Sequence, residues 1–245
     1  MKKRNMLSFF TLLVFWGSAA ACTAPLSQAP LKNECVILLH GLARSPRSMK
    51  KLEKYLSAKG YQVINFGYPS TRESIRTLGE VWLPRAVGQS RKGNPEKIHF
   101  VTHSMGGIVL RQYLQKNSLP PGSRIVMISP PNRGSELADY LKGLRLYQWL
   151  NGPAGQELGT DFRSTPNTLK AVGAEIGIIT GNRSFNPLYS QLIPGPDDGK
   201  VSVERAKLKE MKDFLTVAAT HTFIMNHSQT IQSVAGFLEK GKFEK

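Results

Sequence analysis

Six short runs of apolar and β-branched residues recur along the chain, at 35–39, 61–66, 98–102, 124–128, 175–180 and 214–218. They lack the polar alternation of a half-exposed strand, so they fit parallel strands covered on both faces. Helix-like stretches separate them. Ser45 and Pro46 open one that Gly60 ends, and Ser228 is placed to cap the last, with Ile231, Val234, Phe237 and Leu238 on one side. Repeated strand-helix units predict an α/β fold with right-handed crossovers, in which a ligand site lies beyond the carboxyl ends of the strands.

Two connections, 132–173 and 182–200, are longer than turns require. The first carries Leu137, Tyr140, Leu141 and Leu144 at helical spacing, then Tyr147, Trp149 and Leu150 before the breaker-rich Asn151-Gly152-Pro153. It reads either as an extra helix laid on the core or as a cap lining a pocket. The second is irregular, with Pro187, Pro194, Gly195 and Pro196.

The first 21 residues have the layout of an export leader: Lys2, Lys3 and Arg4, an apolar stretch over 6–16, then Ala19-Ala20-Ala21. That apolar stretch is far below the roughly 20 residues a permanent span needs. Cys22 follows the alanines, and the segment resembles a bacterial lipoprotein signal in which the cysteine is lipidated, although Ala19 stands where Leu is usual. An exported protein is expected, either anchored to the membrane through Cys22 or cleaved and released. Residues 22–33 form a linker and 34–245 the domain. Cys35 opens an apolar run and reads as a small core residue, with a Cys22–Cys35 disulfide as the alternative.

The net charge is +16, and without the leader 30 basic residues face 17 acidic ones, +13. Such a balance favours anionic surfaces such as phospholipid headgroups. It equally fits solvated helix faces, as Lys50, Lys51, Lys54 and Lys59 suggest. Nucleic acid is disfavoured, since no nucleic-acid-binding motif occurs. No H-E-x-x-H, paired C-x-x-C or phosphate-binding glycine loop occurs either, so no metal or cofactor is expected.

The strongest chemical motif is Thr102-His103-Ser104-Met105-Gly106-Gly107, set between an apolar run and a helix. It resembles the nucleophile elbow of the α/β-hydrolase superfamily, a sharp turn that exposes a serine above the sheet. It departs from G-x-S-x-G at Thr102. Leu38-Leu39-His40-Gly41-Leu42 resembles the segment that forms half of that superfamily's oxyanion hole, which implies backbone donors at Leu42 and Met105. His40 itself is expected to fix its loop.

In that superfamily the order is serine, acid, histidine. The order leaves His221 and His227, and His221 is favoured because it directly follows the last apolar run. Asp197-Asp198-Gly199-Lys200-Val201 resembles the acid loop of bacterial lipases and esterases and points to Asp198, with Asp197 as the alternative. Pro130-Pro131-Asn132-Arg133-Gly134-Ser135 is similar to a segment that small bacterial lipases place beside the active site.

The resemblance covers nearly all of 34–238. It implies an abbreviated α/β-hydrolase fold with about six mostly parallel strands, helices on both faces and a helical cap at 132–173. It also implies a serine esterase or lipase with Ser104, His221 and Asp198 as a catalytic triad, acting without cofactors on an ester or lipid. An acyltransferase or thioesterase would use the same triad, and a non-catalytic envelope binder would keep only the pocket. Acyl length and oligomeric state are not legible.

Overall fold

The computed structural model describes residues 32–244. The expected leader and Cys22, with the expected lipidation or disulfide, lie outside them. All six apolar runs are strands: β1 Glu34–Leu39, β2 Gln62–Phe66, β3 Lys97–His103, β4 Arg124–Ile128, β5 Glu175–Gly181 and β6 Asp213–Val217. They form one sheet in the order β2-β1-β3-β4-β5-β6, every pairing parallel.

The absence of polar alternation has a direct cause, since both faces of the sheet are covered. Cys35, Ile37 and Leu39 of β1 join a core that includes Leu83 and Ile108, while Val36 and Leu38 join a second core with Leu52 and Phe237. Helices Leu83–Arg91 and Met105–Leu114 cover the first face, and Lys50–Ala58 and Ser228–Lys240 cover the second. Each large apolar side chain buried this way contributes about 1.5–3 kcal/mol. Cys35 behaves as a small core residue, and burial pushes its thiol pKa up to about 12.

Two local readings change. Ser228 is the first residue of its helix instead of the cap; His227 holds the cap position and makes no side-chain capping bond. Ahead of Lys50–Ala58, Pro46–Met49 forms a separate 3-10 turn. Lys50, Lys51, Lys54 and Lys59 are exposed, as a solvated face requires.

The 132–173 connection holds helices Glu136–Leu141, Arg145–Gln156 and Thr165–Thr168, the middle one kinked at Gly152. Both readings of it apply to different residues. Leu137 and Ala138 are buried, whereas Leu144, Leu146 and Trp149 face outward, Trp149 at 79% exposure. Arg111, buried in the helix after Ser104, pins the connection by donating to the carbonyls of Asn132 (3.0 Å), Pro166 (3.2 Å) and Leu169 (3.0 Å). Burial lowers its pKa to about 10. The second connection carries a short helix, Pro187–Leu192, capped by the Asn186 side chain.

Candidate active site

β3 runs straight into Ser104, and the helix Met105–Leu114 begins at the next residue. This reversal forces Ser104 to φ 53°, ψ −127°, a conformation that costs a non-glycine residue about 1–3 kcal/mol. The turn is held by the Ser104 amide donating to the Ile128 carbonyl at 2.8 Å. Position 106 must be glycine, because a Cβ there would lie 2.8 Å from the carbonyl oxygens of both Leu39 and His40. The departure at Thr102 also has an explanation. A Cβ on residue 107 would meet the Thr102 hydroxyl oxygen at 3.3 Å, so Gly107 leaves the room that Thr102 occupies.

Three residues far apart in sequence meet at this turn. His221 Nδ1 lies 2.8 Å from Asp198 Oδ2, and His221 Nε2 lies 3.0 Å from Ser104 Oγ. A carboxylate only accepts, so Nδ1 carries the imidazole proton and Nε2 is left to accept from the serine hydroxyl. Asp198 Oδ1 accepts from the amides of Lys200 (3.0 Å) and Val201 (2.9 Å), and its carbonyl accepts from the His221 amide at 2.8 Å. The carboxylate is thereby fixed and fully buried.

The alternatives fall elsewhere. Asp197 accepts from the Ser190 hydroxyl and the Gly199 amide, tying its own loop. His227 stands at the start of the last helix. His40 is buried, stacks on Tyr68 at 4.2 Å between ring centroids, and donates from Nδ1 to the Gly41 carbonyl. Burial lowers its pKa, in keeping with a loop-fixing role.

Leu42 lies in the loop after β1 and lines the same cavity as Ser104, and Met105 starts the helix directly after the serine. Neither amide donates to a backbone or side-chain acceptor among the described residues. The Met105 amide belongs to the first turn of a helix, where N–H groups have no intrahelical partner. Gly41 brings the loop close, since a Cβ there would lie 2.9 Å from His103 Nδ1 and 3.1 Å from Ser104 Cβ.

Chain order reserves no triad role for His103, yet it is part of this arrangement. It is buried, and its Nε2–H donates to the His221 carbonyl at 3.0 Å, joining the serine turn to the histidine loop. Burial, and then the neighbouring His221, hold its pKa well below the usual histidine range. Nothing in the sequence marks it except its place next to the serine.

A cavity of about 360 Å³ opens onto Ser104 and His221. Leu137, Leu141, Tyr147 and Leu158 from the 132–173 connection form much of its apolar wall, and Tyr189 reaches it from the second connection. Pro131 and Ser135 of the Pro-Pro-Asn-Arg-Gly-Ser segment line it too, and the Ser135 hydroxyl donates to the Lys200 carbonyl at 2.7 Å. A preformed apolar cleft with a few convergent polar groups suits an acyl chain attached to a reactive carbonyl.

The parallel sheet, the strained serine after the third strand, and the acid and histidine after the fifth and sixth define an α/β-hydrolase fold. Comparison with solved structures agrees. The chain is similar to the mature form of Bacillus licheniformis lipase BlEst2, with a TM-score of 0.68, 19% identity, and coverage of 83% of this chain and 91% of that one. It is also similar to phospholipase PlaB from Legionella pneumophila, with a TM-score of 0.63, 16% identity, and coverage of 82% and 56%.

Among curated sequences, triacylglycerol lipase 2 of Saccharomyces cerevisiae is 24% identical over 205 residues, 74% of this chain and 63% of that protein. Lysosomal thioesterase PPT2 of Rattus norvegicus is 27% identical over 207 residues, 73% of this chain and 68% of that one. The chain thus spans a little under two thirds of the yeast lipase. No protein-family model matches the chain.

Proposed function

We propose that the protein is a serine hydrolase that cleaves carboxylic esters with lipidic acyl groups. One observation carries the reading: the hydrogen-bonded line Asp198–His221–Ser104 opens into a cavity with a largely apolar wall. In the reaction, His221 Nε2 takes the Ser104 proton as Oγ attacks the ester carbonyl. The amides of Leu42 and Met105 hold the resulting oxyanion, each worth ~3 kcal/mol or more in the transition state. The imidazolium, oriented and stabilised by Asp198, then protonates the leaving alcohol. Water repeats the sequence on the acyl-enzyme and releases the carboxylic acid.

The 132–173 connection supports the lipidic part of the reading, because it supplies the apolar wall. The likeness to a thioesterase supports acyl thioesters as a second candidate substrate class for the same triad. The test is hydrolysis of p-nitrophenyl esters from acetyl to palmitoyl, with a palmitoyl thioester alongside, by wild type, Ser104→Ala, His221→Ala and Asp198→Asn. Activity that rises with acyl length and collapses in all three variants supports the reading. A wild type no faster than Ser104→Ala on every substrate ends it.

The leader and Cys22 support export with lipid anchoring in a bacterial envelope, and the +13 balance beyond the leader suits an anionic membrane surface. Metabolic palmitate labelling that disappears in Cys22→Ser tests the anchor, and labelling that persists in the variant refutes it.

A further inference from the structure

The cavity at Ser104 is not uniformly apolar. Two cations line it, Arg44 from the loop after β1 and Lys200 from the loop that carries Asp198, and no carboxylate is among its lining residues. Neither side chain forms an ion pair or a hydrogen bond among the described residues, although many of the protein's other lysines and arginines are paired. The nearest candidate, Asp198, is committed to His221 and to two amides.

Both cations stand on fixed backbone. The Lys200 amide is held by Asp198 Oδ1 and its carbonyl by Ser135 Oγ. The Arg44 amide donates to the Gly41 carbonyl at 3.3 Å, directly after Ala43, whose φ is 52°. Lys200 is exposed as a residue; the protein around its amine and repulsion from Arg44 lower its pKa, and the Asp198 carboxylate opposes them. The fields of both cations also reach His103, next to Ser104. Two like charges line one cavity, and Asp198, the carboxylate whose field reaches Lys200, is bonded to His221 and two amides. The two cations form a ready site for an anion, and a guanidinium with an ammonium suits phosphate oxygens.

We propose that the site selects esters that carry a phosphate near the scissile carbonyl, such as an acylated glycerol phosphate, with Arg44 and Lys200 holding the phosphate while the acyl chain lies in the apolar cavity. The inference rests on the hydrolase reading above and narrows its substrate class. Each cation contributes selectivity without touching the bond that breaks.

The test compares a 1-monoacylglycerol with the same compound bearing a 3-phosphate, so that the scissile ester is identical. A soluble hexanoyl pair and an oleoyl pair in phosphatidylcholine vesicles serve as separate arms. Wild type is expected to favour the phosphate by roughly ten-fold or more in kcat/KM, about 1.4 kcal/mol. Arg44→Gln and Lys200→Gln are each expected to cut that ratio several-fold, and added salt to reduce it further. Preference in the hexanoyl arm assigns a soluble phosphate ester, and preference confined to vesicles assigns a lipid.

A ratio near one in both arms overturns the proposal. So does equal slowing of both esters in the variants, which would mean that the cations serve the oxyanion. Calorimetric binding of both esters to Ser104→Ala separates the two failures. Phosphate-selective binding without turnover by wild type refutes the hydrolase reading and leaves the anion site standing.

Discussion

Gly41→Ala is a demanding perturbation of the site because the clash it creates is local and measurable. The new Cβ would sit 2.9 Å from His103 Nδ1 and 3.1 Å from Ser104 Cβ, where ordinary contact begins at 3.4 Å. His103 has little freedom to yield, being buried and tied to the His221 carbonyl. The loop must therefore retreat by about 0.5 Å and carry the adjacent Leu42 amide with it, away from the oxyanion position proposed above. Complete loss of an oxyanion donor costs ~10²–10³ in kcat, so a partial displacement is expected to cost about 10²-fold, with KM changed by less than about three-fold. The assay is steady-state hydrolysis of the best p-nitrophenyl ester, with a thermal melt to show that the variant is folded. Gly88→Ala serves as control, since its Cβ would meet nothing within 4 Å. A folded Gly41→Ala enzyme with kcat within about three-fold of wild type would refute Leu42 as an oxyanion donor.

Three further outcomes are expected. Glycine relieves the backbone strain at position 104 and alanine does not, so Ser104→Gly should be more stable than Ser104→Ala by about 1 kcal/mol in urea denaturation, reversing the usual order; the usual order would contradict the strained turn. Burial lowers the pKa of His40, His99 and His103, so the unfolded chain binds more protons than the folded one below about pH 6.5. Their contribution to stability is complete above that pH and is lost as pH falls, by up to ~1.4 kcal/mol per pH unit for each histidine, and a denaturation midpoint that stays level from pH 7.5 to 5.5 would contradict it. Arg111→Leu leaves the carbonyls of Asn132, Pro166 and Leu169 without their donor, so it should cost about 2–4 kcal/mol and raise amide exchange selectively across 132–173; uniform exchange would deny Arg111 its anchoring role.

The sheet was legible because its four central strands are buried on both faces, so apolar runs such as Val36-Ile37-Leu38-Leu39 stand out without knowledge of the partner strands. The meeting of Ser104, Asp198 and His221 was legible for a related reason, since they follow β3, β5 and β6, whose carboxyl ends share one edge of the parallel sheet, although Asp198 reaches it only through the long 182–200 connection. Residues whose roles depend on loops crossing between strands were not. Arg111 looks like an ordinary helix surface residue until the 132–173 connection folds over it. Arg44 and Lys200 lie 156 positions apart, and only the packed loops bring them to one cavity. His103 precedes the serine in a chain order that reserves no role for it, and its bond to the His221 carbonyl exists only in the folded molecule. The cap of the last helix was misplaced by one residue because Ser228 is a good capping residue by composition, whereas the backbone turns into the helix at His227.

The central claim is that Ser104 is a nucleophile activated by His221. The most direct measurement is reaction of the purified protein with a serine-directed fluorophosphonate, followed by peptide mass spectrometry. One adduct per chain on Ser104, with labelling greatly slowed in His221→Ala, is the predicted result. Failure of the folded wild type to react, or an adduct on another residue that persists in Ser104→Ala, would contradict it.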